Sequence, residues 1–182
     1  MNTNDLQERS NLMRQYLADL LLCIYTFNYK KNKFCENFGK MGYEETVLEK
    51  VALNTLLDSI HLRLANLADR DPRVYSLPQL REAAEKTITD TEILEKIEAT
   101  IQGLYNTHLK SLNTKARNAY IAHINESFER IWSLWKDDEH EMLTTTKAVL
   151  DYFDLLTQTP NTYPAKFGSD NVEFDLREKL GL

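Results

Sequence analysis

Glycine and proline are scarce in this chain, five and four among 182 residues. A β-rich fold turns often and needs those residues at its turns, so the shortage leaves long helices joined by few loops. Apolar residues confirm the period. Leu6, Met13, Tyr16, Leu17, Leu20, Leu21, Ile24 and Phe27 recur at three- and four-residue steps, which predicts a helix from 5 to about 29. Asp5 and Glu8 fit the capping-box positions at its start. A second helix is expected over 44–67, with Val47, Val51, Leu53, Leu56, Leu57, Ile60, Leu64 and Leu67 on its buried side. Pro72 disfavours helix at Asp71. Ser76 then caps a shorter helix carrying Leu77, Pro78, Leu80 and Ala83.

Another long helix follows from about 90, marked by Ile93, Leu94, Ile97, Ile101, Leu104, Tyr105 and Leu109. Phe128, Ile131, Trp132 and Trp135 form an apolar turn or two. Asp138, with Glu141 three places on, marks the start of a last long helix to about 157. Tyr163, Phe167 and Phe174 pin a tail that ends in the short helix DLREKL. The fold class is all-α: a bundle of four to five main helices plus short ones. The length suits one domain over 1–182, with 158–182 packed on the bundle as a C-terminal tail.

The formal charge of −6 excludes a uniformly basic surface for nucleic acid. It leaves room for a local one. From Ala99 to Asn125 there is no acid in a chain that holds 28, while Lys110, Lys115 and Arg117 are present. A second basic stretch, 27–43, interleaves Lys30, Lys31, Lys33 and Lys40 with Phe34, Phe38 and Tyr43. Rings and ammonium groups in that pattern suit single-stranded nucleic acid, through base stacking and phosphate contacts. The same pattern also describes a helix end and a loop whose aromatics anchor it to the bundle. Cys23 and Cys35 have no CxxC neighbour and read as free thiols. The N-terminus is polar, and the most apolar run, Tyr16 to Phe27, contains Asp19 and is too short to span a bilayer. A cytoplasmic location with no membrane partner is expected.

The segment NTKARNAYIAHIN, 113–125, carries the chemistry. Arg117 offers a planar fork of donors to a phosphate. His123 is of the residue type whose unperturbed pKa suits proton transfer near neutrality. Asn118 can orient either group by hydrogen bonding. Nine arginines and four histidines give on the order of 0.6 chance matches for an Arg followed five to seven places later by His, falling to about 0.1 when a polar residue follows the Arg. Six residues of straight helix leave the two side chains about 120° apart and about 9 Å along the axis. One helix therefore does not aim both at one atom. A bend, or two copies meeting across a two-fold axis, would. Glu139, His140 and Glu141 are sequence neighbours that do not face one site on a helix, so no metal centre is expected there.

RNAYIAH resembles the Arg-Asn-x4-His motif of HEPN-domain proteins. The helix order, together with LLDSIHLRLANLADRDPRVYSLPQL (56–80), is similar to their abortive-infection, AbiU-like branch. The resemblance implies a small α-helical bundle, commonly a homodimer, and a metal-independent ribonuclease of toxin–antitoxin or phage-defence systems. Others of the group are inactive binding or structural modules. It implies RNA as substrate, no cofactor and an antitoxin protein as a further partner. It assigns Arg117, Asn118 and His123 to catalysis, with His123 taking the ribose 2′-hydroxyl proton and Arg117 stabilising charge on the phosphoryl oxygens. Lys110, Lys115, Lys30, Lys31 and Lys33 are the expected RNA-binding residues.

Overall fold

The computed structural model describes residues 3–69, 71, 75–110, 131–167 and 172–182. Helix α1 spans Thr3–Asn37, α2 Tyr43–Leu67, α3 Leu77–Glu85 and α4 Thr91–Leu104. A π-helical turn, Tyr105–Leu109, extends α4, and α5 runs Ile131–Thr157. A two-stranded antiparallel hairpin, β1 Pro164–Phe167 and β2 Val172–Asp175, leads into α6, Leu176–Lys179. The architecture is an all-α bundle with one small hairpin at its C-terminal end.

Helix α1 is the axis of the bundle, 35 residues or about 52 Å long. Its stripe of Met13, Leu17, Leu20, Leu21, Ile24 and Phe27 is fully buried. Each such side chain contributes about 1.5–3 kcal/mol by leaving water. Helix α2 runs antiparallel to α1. Tyr16 donates its hydroxyl to the Arg63 carbonyl at 2.9 Å near one end, and Lys30 meets Glu49 at 2.7 Å near the other. Helix α5 runs antiparallel to α1, tied to it where Lys31 pairs with Glu139 and, just past its C-terminal end, where Arg14 reaches Asn161. Arg81 joins α3 to α4 through Glu98 at 2.9 Å.

Several boundaries differ from expectation. Helix α1 continues eight residues past 29, because Phe34, 2% exposed, extends the buried stripe one heptad beyond Phe27. The chain turns at Gly39, whose φ of +87° is readily open only to glycine. Asp5 is not a cap: α1 already includes Thr3, and the Asp5 carboxylate accepts from Arg9 Nε at 2.8 Å one turn on. Asp138 likewise lies inside α5, which is helical from Ile131. Ser76 holds the N-cap position of α3, but its hydroxyl is buried without a hydrogen bond. Asp90, by contrast, caps α4 by accepting from the Glu92 and Ile93 amides at 2.9 and 3.2 Å. Val51, expected in the core, is 57% exposed. Trp132 and Trp135 fall on α5, and Phe128 lies outside the described residues.

The C-terminal tail is held by polar groups as much as by apolar ones. Tyr163 is buried, its amide donates to Asp175 at 2.6 Å, and the Phe174 ring tilts against Tyr25 with centroids 5.5 Å apart. Asn161, 4% exposed, donates through Nδ2 to Asp154, Thr157 and Thr159 and accepts from Arg14. Arg177 spans Asp154 and Asp151 at 2.5 and 2.7 Å. Cys23 and Cys35 are free thiols. Twelve residues apart on α1, they are separated by about 18 Å and cannot pair within one chain.

Candidate functional site

Arg117, Asn118, His123 and Lys115 lie outside the described residues. The flanks of that segment are described, and they converge. Helix α4 and its π-helical turn run antiparallel to α5 and bring His108 Nδ1 to 3.5 Å from the Thr145 hydroxyl. Lys31 of α1 meets α5 at Glu139, six residues or about 9 Å along the axis from Thr145. The exit at Lys110, the re-entry at Ile131 and the C-terminal part of α1 therefore share one end of the bundle. The α1–α2 turn lies at that end too.

The π-helical turn widens the helix where it approaches α5. Such single turns often occur where a helix positions functional side chains. Here it carries the half-buried His108 beside Thr145, which is completely buried. Which of the two donates depends on the imidazole tautomer. This pair is absent from the sequence expectations, although a signal existed. His108 continues the stripe Ile97, Ile101, Leu104, and Thr145 lies between Met142 and Val149 on the α5 stripe. Polar groups at two core positions are what a directed contact requires.

The predicted RNA-binding lysines of α1 do not form one open cationic strip. Lys30 turns to α2 and is held by both oxygens of Glu49, at 2.7 and 3.0 Å. Lys31 turns to α5, where Glu139 holds it above the Phe27 ring, 5.9 Å from the centroid. Lys33 is exposed and pairs with Glu36 at 3.0 Å, whose hydrogen bond first and charge second raise the lysine pKa. Each ammonium thus has a carboxylate close by that offsets its field. Lys110 is exposed at the end of the π-helical turn. The aromatics divide as well. Phe34 is core and tilts against Phe38 at 5.6 Å, whereas Phe38 and Tyr43 are 57% and 85% exposed. Glu44 and Glu45 adjoin Tyr43, which makes that tip unsuited to a polyanion. Among the described residues no group of three His, Cys, Asp or Glu is placed to hold a metal ion. No described helix is long and apolar enough to cross a membrane.

The described helices form an all-α bundle of the HEPN type, and in sequence the Arg117-Asn118/His123 stretch precedes its last long helix. More narrowly, the chain belongs to the HEPN AbiU2 family, whose model matches residues 3–159. The match encloses the whole of 111–130 and stops just before the hairpin tail. No curated protein and no solved structure matches the chain.

Proposed function

We propose that this protein is a metal-independent endoribonuclease, acting as a toxin or phage-defence effector. The observation that carries the reading is the AbiU2 family match across 3–159, within which Arg117-Asn118 and His123 stand at the spacing of the HEPN motif. In this mechanism His123 removes the proton of an RNA 2′-hydroxyl, and the oxygen attacks the adjacent phosphorus. Arg117 stabilises the charge that grows on the phosphoryl oxygens, while Asn118 orients imidazole or phosphate. The P–O5′ bond breaks, leaving a 2′,3′-cyclic phosphate and a 5′-hydroxyl. The nucleophile is supplied by the substrate, so the chemistry needs no metal-activated water. A homodimer that sets two Arg–His pairs in one cleft supplies the convergence a single straight helix lacks. The gathering of the flanking helices at one end of the bundle supports one cleft shared by a pair of chains.

The test is incubation of purified protein with RNA in EDTA, with product ends identified by mass. Cyclic-phosphate ends that vanish in both Arg117→Ala and His123→Ala are expected. Cleavage that requires a divalent ion, or that persists in His123→Ala, rules the mechanism out. One observation favours a second reading, an inactive nucleic-acid- or nucleotide-binding or structural module. It is the carboxylate pairing of Lys30, Lys31 and Lys33, which weakens the anionic grip a nuclease needs. That reading expects binding or structural effects without turnover.

A further inference from the structure

The buried stripe of α4 changes its step at the π-helical turn. Ile97, Ile101 and Leu104 follow one another at four and three residues, as an α-helix requires, and all three are buried. The next buried residue is Leu109, five on from Leu104 and 1% exposed. On a straight α-helix five residues turn about 500°, which would leave Leu109 about 140° away from Leu104. The π-turn removes that difference. The Lys110 amide donates to the Tyr105 carbonyl, five residues back, so one extra residue is taken up within the turn. A straight helix of the same sequence would set His108 on the stripe, four beyond Leu104, and would turn Leu109 away from it.

We propose that the π-turn Tyr105–Leu109 aims the catalytic segment, by setting the rotational phase at which the chain departs towards Arg117 and His123. The proposal rests on the nuclease reading above. Lys110 is still helical, with φ −66° and ψ −41°, so the chain leaves it about 100° away from the direction a straight helix would give. Core packing alone does not ask for the turn. One residue fewer would bury the same stripe on an unbroken α-helix. The chain carries the extra residue instead, with Asn106 and Thr107 exposed and His108 half-buried beside Thr145 at 3.5 Å. Side chains reach about 5–6 Å from a helix axis, so a rotation of about 100° moves their tips by about 8–9 Å. A displacement of about 1 Å at a reacting group can already cost about 100-fold in rate.

Helical phasing tests the proposal. His108→Leu/Leu109→Ala puts leucine four beyond Leu104 and favours a straight helix, which keeps the stripe and loses the phase beyond it. This variant is expected to stay folded in circular dichroism and urea titration, while RNA cleavage in EDTA falls by at least about 100-fold. Deletion of Thr107 also leaves a four-residue step from Leu104 to the next leucine, without a π-turn, but it keeps the native phase. That variant is expected to fold and to cleave at close to the native rate. The register is read without cleavage in a Cys23→Ala/Cys35→Ser background. There the thiol of Leu109→Cys is expected to be protected from maleimide, and that of His108→Leu/Leu109→Cys to react freely.

Native-rate cleavage by a folded His108→Leu/Leu109→Ala overturns the proposal. Loss of cleavage or of folding in the Thr107 deletion does so too, as does a thiol that stays protected in the double variant. The unaltered chain separates the two readings. If it does not cleave RNA, the nuclease reading fails and takes this one with it; if it cleaves and the phasing variants go against expectation, only this one fails.

Discussion

Replacing Asn161 by alanine should loosen the tail from the bundle by an amount the structure allows to be worked out. The side chain donates to Asp154 Oδ1 at 2.8 Å, to Thr157 Oγ1 at 2.9 Å and to the Thr159 carbonyl at 2.9 Å, and it accepts from Arg14 at 2.7 and 3.1 Å. Thr157 keeps its bond to the Phe153 carbonyl, and Asp154 keeps the Asn161 amide and Arg177. Arg14 is exposed and regains water. What is lost without replacement is chiefly the hydrogen bonding to two charged groups, each worth about 1.5–3 kcal/mol when intact. Discounted for those surviving partners, the expected loss is about 2–3 kcal/mol. It should appear in urea titration as a lower midpoint with an unchanged slope. Asn161→Asp makes the sharper comparison. It keeps an acceptor for Arg14 but removes every donor and sets a second carboxylate against Asp154, so it should destabilise more than alanine near neutrality. An alanine loss below about 0.5 kcal/mol, or an aspartate milder than alanine, would refute the assignment of Asn161 as the polar hub of the tail.

Tyr152 and Tyr163 are buried with hydroxyls that have no hydrogen-bond partner, so Tyr→Phe at either site should be neutral or stabilising by up to about 1 kcal/mol in urea titration. Burial, the largest cause for both, raises their pKa values above that of the unfolded chain. The stability they protect is therefore complete below about pH 10 and declines as pH rises beyond it, by up to about 1.4 kcal/mol per pH unit for each tyrosine. The two phenylalanine variants should flatten that alkaline slope; an unchanged slope would count against it. Glu49→Gln and Glu139→Gln should release Lys30 and Lys31, tightening RNA binding and steepening its salt dependence by about 0.7 per lysine. Filter binding across a salt series checks this, and no change in either variant would show that those lysines lie away from RNA. Gly39→Ala meets no atom within 4 Å yet must hold φ +87°, so a loss of about 1 kcal/mol in thermal melts should come from the backbone alone.

The sequence carries the existence of α1 and α2 further than it carries their ends. Periodicity located both, and the buried sets on α1, α3 and the α4 and α5 stripes agree with it, since a long apolar series at 3.6 spacing has few other uses. Ends were harder. Lys30, Lys31 and Lys33 interrupt the apolar pattern and read as a break, but Phe34 resumes the stripe; Lys30 and Lys31 are held by carboxylates on two other helices, and Lys33 by Glu36 one turn on. The hairpin 164–175 carried no alternation long enough to register; its place depends on Asp175 and Tyr163, a tertiary match. The chemistry of the site rests on the RNAYIAH spacing, whereas the frame around it, His108 on Thr145 and Lys31 on Glu139, came only with the packing of α1 and α4 against α5. Val51 is the most instructive residue. A stripe announces that a helix face is apolar, not which neighbour covers it. On α2 two faces qualified, and the bundle took the one carrying Leu53, Leu57 and Ile60. The other face keeps Leu48, Val51 and Leu62 exposed, with Thr55 and Asp58 breaking the apolar series between them. Periodicity thus locates a helix before it tells which of its faces the bundle will take.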